Sequence, residues 1–149
     1  DALVCVSYRR EEVMLPVPVY KLIPRRIIAG MGCRRDTGAD EVQQLFAEQL
    51  AENNLLPEAV RAIGSITLKA QEPALLALAA RYQVPFTVFS AEELAPVAAQ
   101  FPESEFVKKT TGVGSVSRPV AWLMSKGCLI GQTCKTRGIT ITLGAETVC

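Results

Sequence analysis

Apolar side chains recur three to four positions apart at Val42, Leu45, Phe46 and Leu50, with Gln49 on the same stripe. That period predicts an amphipathic helix from Gly38 to Asn54. Asp36 or Thr37 stands where an N-cap belongs, and Asn53-Asn54 suits the helix end. Just upstream, RIIA (Arg26 to Ala29) reads as a short buried strand, and GMGCRR (Gly30 to Arg35) as the glycine-rich loop that joins it to the helix. The same alternation then repeats. Pro57 starts a short helical turn, and RAIGSITL (Arg61 to Leu68) is a second strand. Pro73 sits in the first turn of a helix whose stripe is Leu75, Leu76, Leu78, Ala79 and Tyr82. PFTVFS (Pro85 to Ser90) is a third strand, and Ser90-x-x-Glu93 is a capping-box pattern opening the short helix AEELAPVAA.

Beyond it, Glu105 to Lys108 reads as a fourth strand, TTGVGSVSR as a second glycine loop, and Pro119 to Ser125 as a helix. Gly127 to Gly131 and Gly138 to Leu143 form a closing hairpin. At the other end, ALVCVS (Ala2 to Ser7) has the look of a strand and RREE that of a charged turn. MLPVPVYKLIP, with three prolines in eleven residues, is an extended linker or edge segment. A boundary therefore falls near Pro24, separating residues 1–24 from a domain over residues 25–149. Strands alternating with helices at this spacing predict an α/β fold, a three-layer α/β/α arrangement on a mostly parallel sheet that the final hairpin makes mixed.

Composition sharpens this picture. A chain of 149 residues with 49% hydrophobic content is long enough for one well-buried core. No apolar run approaches the roughly 18 to 20 residues of a membrane span, and no signal peptide is recognisable, so a soluble, cytoplasmic protein is expected. The five cysteines (Cys5, Cys33, Cys128, Cys134, Cys149) are odd in number, widely spread and never in CxxC spacing, so they read as free thiols rather than staples or a grouped zinc site. Cys33 stands beside two arginines and a helix start, which would lower its pKa, but a buried, inert thiol is the favoured reading. Histidine is absent altogether. That excludes Ser-His-Asp and Cys-His catalysis and leaves carboxylates, lysine, cysteine, hydroxyls or bound water for any chemistry.

The net charge is only +1, yet it is unevenly placed. Residues 1–35 hold seven Lys/Arg against three Asp/Glu, residues 36–107 three against eleven, and residues 108–149 six against one. If the two basic ends fold together they make a positive face for a polyanionic small molecule. Nucleic acid fits less well, because the basic segments carry few aromatics on which bases could stack.

In open α/β sheets ligands bind beyond the carboxyl ends of the strands. Four loops share that edge: Gly30 to Thr37, Lys69 to Glu72, Ser90 to Glu93, and Lys109 to Arg118. In the first, Gly30 and Gly32 allow close backbone approach, and Arg34 and Arg35 add planar forks suited to carboxylates or phosphates. A dinucleotide fingerprint fails, since Arg35 occupies the place of its third glycine. In the second, Lys69 and Glu72 either pair across a helical turn or act as anion hook and base, and the ion pair is favoured. In the last, Thr111, Gly112, Gly114 and Ser115 present hydroxyls and backbone amides, a nest for an anionic group or a developing oxyanion, or else a loop that needs glycine for its backbone angles.

Taken together, GMGCRR, SITLKAQEP, PFTVFSAEEL and TTGVGSVSRPVA resemble the successive motifs of the family formed by the C-terminal domain of the cobalamin biosynthesis protein CbiG and the stand-alone protein CobE. The resemblance covers about residues 25 to 143. It implies that residues 1–24 are the tail of a preceding region of a longer CbiG-like chain. It also implies a part in anaerobic corrin-ring assembly, as a domain of a cobalt-precorrin-5A hydrolase that opens a δ-lactone and releases acetaldehyde. The alternative is a non-catalytic corrinoid-binding or carrier domain of the CobE kind. The implied partner is an anionic cobalt-precorrin tetrapyrrole, which itself carries the cobalt. No covalently bound cofactor and no metal of the protein's own is expected, and other corrin-pathway enzymes are candidate partners. On this reading Arg34, Arg35 and Lys69 hold substrate carboxylates and Glu72 positions water. Thr67 and Gln71 stand where the family motif has acidic residues, leaving Glu72 as the acid of that loop.

Overall fold

The computed structural model describes residues 3–10, 19–100 and 116–146. Five strands make the main sheet: β3 (Ile27–Cys33), β4 (Val60–Ile66), β5 (Phe86–Phe89), β6 (Leu129–Thr136) and β7 (Ile139–Ala145), in the order β5-β4-β3-β7-β6. β3 pairs in parallel with β4, and β4 with β5; β7 runs antiparallel to both β3 and β6. The sheet is therefore mixed. The predicted strand at Glu105 to Lys108 lies outside the described residues.

Among the described residues, four helices cover the two faces: α1 (Ala39–Glu52), α2 (Pro73–Tyr82), α3 (Ala91–Ala98) and α4 (Ser117–Ser125). The alternation of side chains along β3 divides the core between the faces. Ile27, Ala29, Met31 and Cys33 join one cluster with Val42, Leu45, Phe46 and Leu50 of α1 and Leu75 and Leu78 of α2. Ile28, between them in sequence, belongs to a smaller cluster with Ala121 of α4 on the opposite face. The stripe read on α1 is buried in full, Gln49 included. On α2, Leu76 remains 40% exposed and Ala74 takes a buried place instead. Tyr82 meets Phe46 edge-on, ring centres 5.0 Å apart, which joins the two helices.

The ends of the elements show which local signals acted. Ser90 and Glu93 form both bonds of the capping box at α3. Neither Asp36 nor Thr37 caps α1: its N-cap is Gly38, and the Thr37 hydroxyl donates instead to the Arg34 carbonyl at 2.6 Å. The closing hairpin is longer than its apolar pattern suggested, with Arg137 and Gly138, both at positive φ, as its two-residue turn.

Gly30 and Gly32 require a larger correction. Both lie inside β3, which continues to Cys33, and so do not belong to a loop. A Cβ on Gly30 would run into the Ser117 carbonyl and come within 2.7 Å of the Ala121 nitrogen. Gly64, its register partner in β4, lies in the same way under Val120 and Met124, and Gly144 of β7 under Ser125. Glycine is present here because α4 rests directly on the strands, and no turn is being made.

Ahead of the main sheet, β1 (Leu3–Val6) and β2 (Val19–Leu22) pair in parallel, so the described end of the segment read as a linker or edge, from Val19 on, contributes a strand, while residues 14–18 lie outside the described residues. Arg9 bridges to Leu55, the Arg10 N–H donates to the Asn54 carbonyl and the Leu56 N–H to that of Tyr8, so this segment is held against the end of α1. Of the cysteines, Cys33 and Cys134 are free thiols, but Cys128 is disulfide-bonded, contrary to expectation. Spacing along the chain does not indicate which sulfurs a fold brings together.

Candidate functional site at the carboxyl edge

From β3 the chain winds outward through β4 and β5, then returns to place β7 and β6 on the other side of β3. Strand order thus turns back at β3, and the edge beyond its carboxyl end is the place where such sheets receive ligands. Three helices, α1, α2 and α3, start from that edge because each follows a parallel strand. α4 joins them by packing. Its first residue, Ser117, lies over Gly30 and its last, Ser125, over Gly144, which is hydrogen-bonded across from Ile28 near the start of β3. α4 therefore runs antiparallel to β3 and directs its amino end toward the same edge. α1 and α3 carry acids in their first turns (Asp40, Glu41; Glu92, Glu93), whereas α4 carries none.

At this edge is a cavity of about 320 Å³ lined by Gly32, Cys33, Arg34, Lys135, Thr136, Gly138, Ile139 and Thr140. Gly32 forms part of its floor, where a Cβ would come within 2.7 Å of the Thr140 hydroxyl and narrow the space. Arg34 follows the last residue of β3. Its N–H donates to the Gly138 carbonyl at 3.0 Å, and its stem lies against the α-carbon of Gly138. Among the described residues no acidic side chain lines the cavity, and neither Arg34 nor Lys135 forms an ion pair. Two cations and two threonine hydroxyls around an open volume suit an anion bearing several oxygens.

The predicted site residues are distributed as follows. Arg34 and Gly32 line the cavity. Gly30 is buried beneath α4, away from it, and Arg35 is exposed in the turn after β3 without lining it. Lys69 ends a single 3-10 turn after β4 (Thr67–Lys69), and its ammonium lies 3.5 Å from Glu72 Oε2, the side chains only 15% and 10% exposed. The favoured ion pair is thus formed. Neither partner lines the cavity, and the charges of both reach the thiol of Cys33, a buried residue at its border. Burial raises the Cys33 pKa above its ordinary value of 9.0, Glu72 raises it further, and Lys69 and a hydrogen bond with Thr37 act in the opposite sense. The neighbouring arginines do not activate this thiol. Thr111, Gly112, Gly114 and Ser115 lie outside the described residues.

Sequence reading missed Lys135, Thr136 and Thr140. The one signal for them was the excess of Lys and Arg after residue 107, which marks a basic segment but no position within it. Among the described residues there is no group of three or more cysteine or carboxylate side chains able to hold a metal ion, and no helix is long and apolar enough to cross a membrane.

A mixed α/β/α domain with a cationic cavity where its strand order reverses is the class that the geometry defines. The chain belongs to the family described as cobalamin synthesis G C-terminus, whose model matches residues 27–144, and its role lies in cobalamin biosynthesis. It is 54% identical over 144 residues, 97% of its length, to the cobalt-precorrin-5A hydrolase of Salmonella typhimurium, and those residues cover 41% of that relative. It is also 34% identical over 96 residues to the protein CobE of a Sinorhizobium species, covering 64% of this chain and 62% of that one. The crystal structure of a CobE, described as a protein from the cobalamin (vitamin B12) biosynthetic pathway, superposes with a TM-score of 0.71 at 25% identity, over 83% of this chain and 92% of that one. The chain thus spans less than half of the hydrolase it matches and most of a CobE.

Proposed function

We propose that this chain acts as the C-terminal domain of a cobalt-precorrin-5A hydrolase, with the edge cavity receiving ionised side chains of an anionic cobalt-precorrin. The observation that carries this reading is the likeness to the S. typhimurium hydrolase over nearly the whole chain. Arg34 and Lys135, which form no ion pair among the described residues, support it, since a precorrin is fringed with acetate and propionate carboxylates. Opening the lactone with water breaks its acyl C–O bond. The water hydroxyl goes to the acyl carbon and its proton to the departing alkoxide; the alcohol so formed then loses its O–H proton as its carbon–carbon bond to the macrocycle breaks, leaving as acetaldehyde while the ring keeps the electron pair. In this reading Glu72 positions that water, and Lys69 fixes the orientation of the carboxylate. The test is acetaldehyde release from cobalt-precorrin-5A by the full-length polypeptide and its Arg34→Ala variant. Unaltered KM and turnover in the variant would remove the site assignment.

A second reading, a corrinoid-binding domain without catalysis, is favoured by the Lys69–Glu72 pair, which engages the candidate base, and by the likeness to CobE over most of that protein. Corrinoid binding by the 149-residue chain, with acetaldehyde release by the full-length polypeptide unaltered in Glu72→Gln, would select this reading.

A further inference from the structure

We propose that the β6–β7 hairpin is the second half of the anion clamp: Lys135 binds the same ligand carboxylate as Arg34, and Gly138 is the positioning residue that holds Arg34 in place. This rests on the reading that the ligand is a carboxylate-bearing corrinoid, and it names residues that the four shared motifs do not include.

Three observations support it. Lys135 pairs with Thr140 in the β6–β7 ladder, and Thr140 pairs with Gly32 on its other side. Residues directly opposite one another point to the same face of a sheet. Lys135, Thr140 and Gly32 are thus neighbours across three strands, and all three line the cavity into which Arg34 continues β3. The two cations come from opposite ends of the domain's sequence and border one volume with no carboxylate among its described lining residues, so an entering anion meets positive charge from two strands. Finally, Gly138 adopts φ +74° in the hairpin turn, where a Cβ would lie 2.7 Å from Arg34 Cδ and 3.1 Å from its Nε. The missing side chain at Gly138 leaves the space that the Arg34 stem occupies, while the Gly138 carbonyl fixes the Arg34 backbone.

The experiment titrates the 149-residue chain with cobyrinic acid, a cobalt corrin with free carboxylates, and with cobinamide, whose ring substituents are amides. Loss of one charge-assisted contact is expected to weaken cobyrinic acid binding to Lys135→Gln by about tenfold and to leave cobinamide unchanged. Gly138→Asn tolerates the left-handed backbone but fills the space beneath Arg34. It is expected to weaken cobyrinic acid binding, with no further loss when combined with Arg34→Ala. If the wild-type chain binds cobyrinic acid and Lys135→Gln binds it equally well, the clamp is overturned while the corrinoid reading stands. Equal losses for both ligands, or additive losses in the double variant, also overturn it. Failure of the wild-type chain to bind cobyrinic acid removes the clamp and the corrinoid reading together.

Discussion

Gly30 of β3 and Gly64 of β4 are register partners, and α4 lies across both. What each would meet on gaining a side chain differs. At Gly30 the obstacle is helix backbone, the Ser117 carbonyl and the Ala121 nitrogen; at Gly64 the nearest atoms are Met124 Sδ and a Val120 methyl, and the former can swing away. Gly30→Ala is therefore expected to destabilise the domain by about 3 kcal/mol, at the upper end of overpacking costs, and Gly64→Ala by about 1 kcal/mol. Urea unfolding of the two variants checks the order. Equal losses would mean that α4 shifts as a rigid body when either glycine is replaced.

That pair also shows why the sequence was only partly legible. Glycine between Ala29 and Met31 reads locally as a break in the strand, because the reason for its presence lies in α4, far along the chain. The α1 stripe and the α3 capping box were readable because each is complete within one or two turns of one helix. At the site the same division holds. Arg34 was a candidate because it stands in the segment that follows a predicted strand, whereas Lys135 reaches the cavity only because β7 returns between β3 and β6.

The α3 cap offers a local test. The Ser90 hydroxyl accepts from the Glu93 N–H at 3.1 Å, and Glu93 Oε2 accepts from the Ser90 N–H at 2.7 Å. Ser90→Ala is expected to cost about 1 kcal/mol in thermal or urea unfolding. Thr37→Ala, at one of the two positions the sequence offered as a cap, is expected to leave α1 helicity unchanged, since the Thr37 hydroxyl bonds the Arg34 carbonyl and not a helix N–H. Loss of α1 protection in hydrogen exchange of the Thr37 variant would contradict this.

Cys33 ties stability to alkaline pH. In the unfolded chain the thiol ionises around its ordinary 9.0, while burial and then the Glu72 charge keep it protonated to higher pH in the folded state. Below pH 9.0 both states hold the proton and this group adds no pH dependence. Above it the unfolded state loses the proton first, so stability falls as pH rises toward the folded pKa. Cys134, raised by burial and by Glu52 and Glu48, acts in the same sense. Cys33→Ala should therefore show a shallower alkaline decline of unfolding free energy than the wild-type chain, whatever its stability at pH 7. An unchanged slope would place the pH dependence in other groups.

The Lys69–Glu72 pair separates structural from catalytic roles. With side chains 15% and 10% exposed, the partners are nearly out of water, so removing one leaves the other buried and uncompensated. Lys69→Met is expected to destabilise the fold by about 3 kcal/mol, and the double change Lys69→Met with Glu72→Leu by much less, because neither charge then remains. A purely structural pair predicts that turnover of the full-length polypeptide, measured as acetaldehyde release at a temperature where each variant is folded, is the same for all of them. A water-positioning Glu72 predicts that turnover falls in the variants that lose Glu72. Lys69→Met would then keep partial activity, while Glu72→Gln, close to isosteric and able to hydrogen-bond, would lose turnover by on the order of a hundredfold with KM little changed.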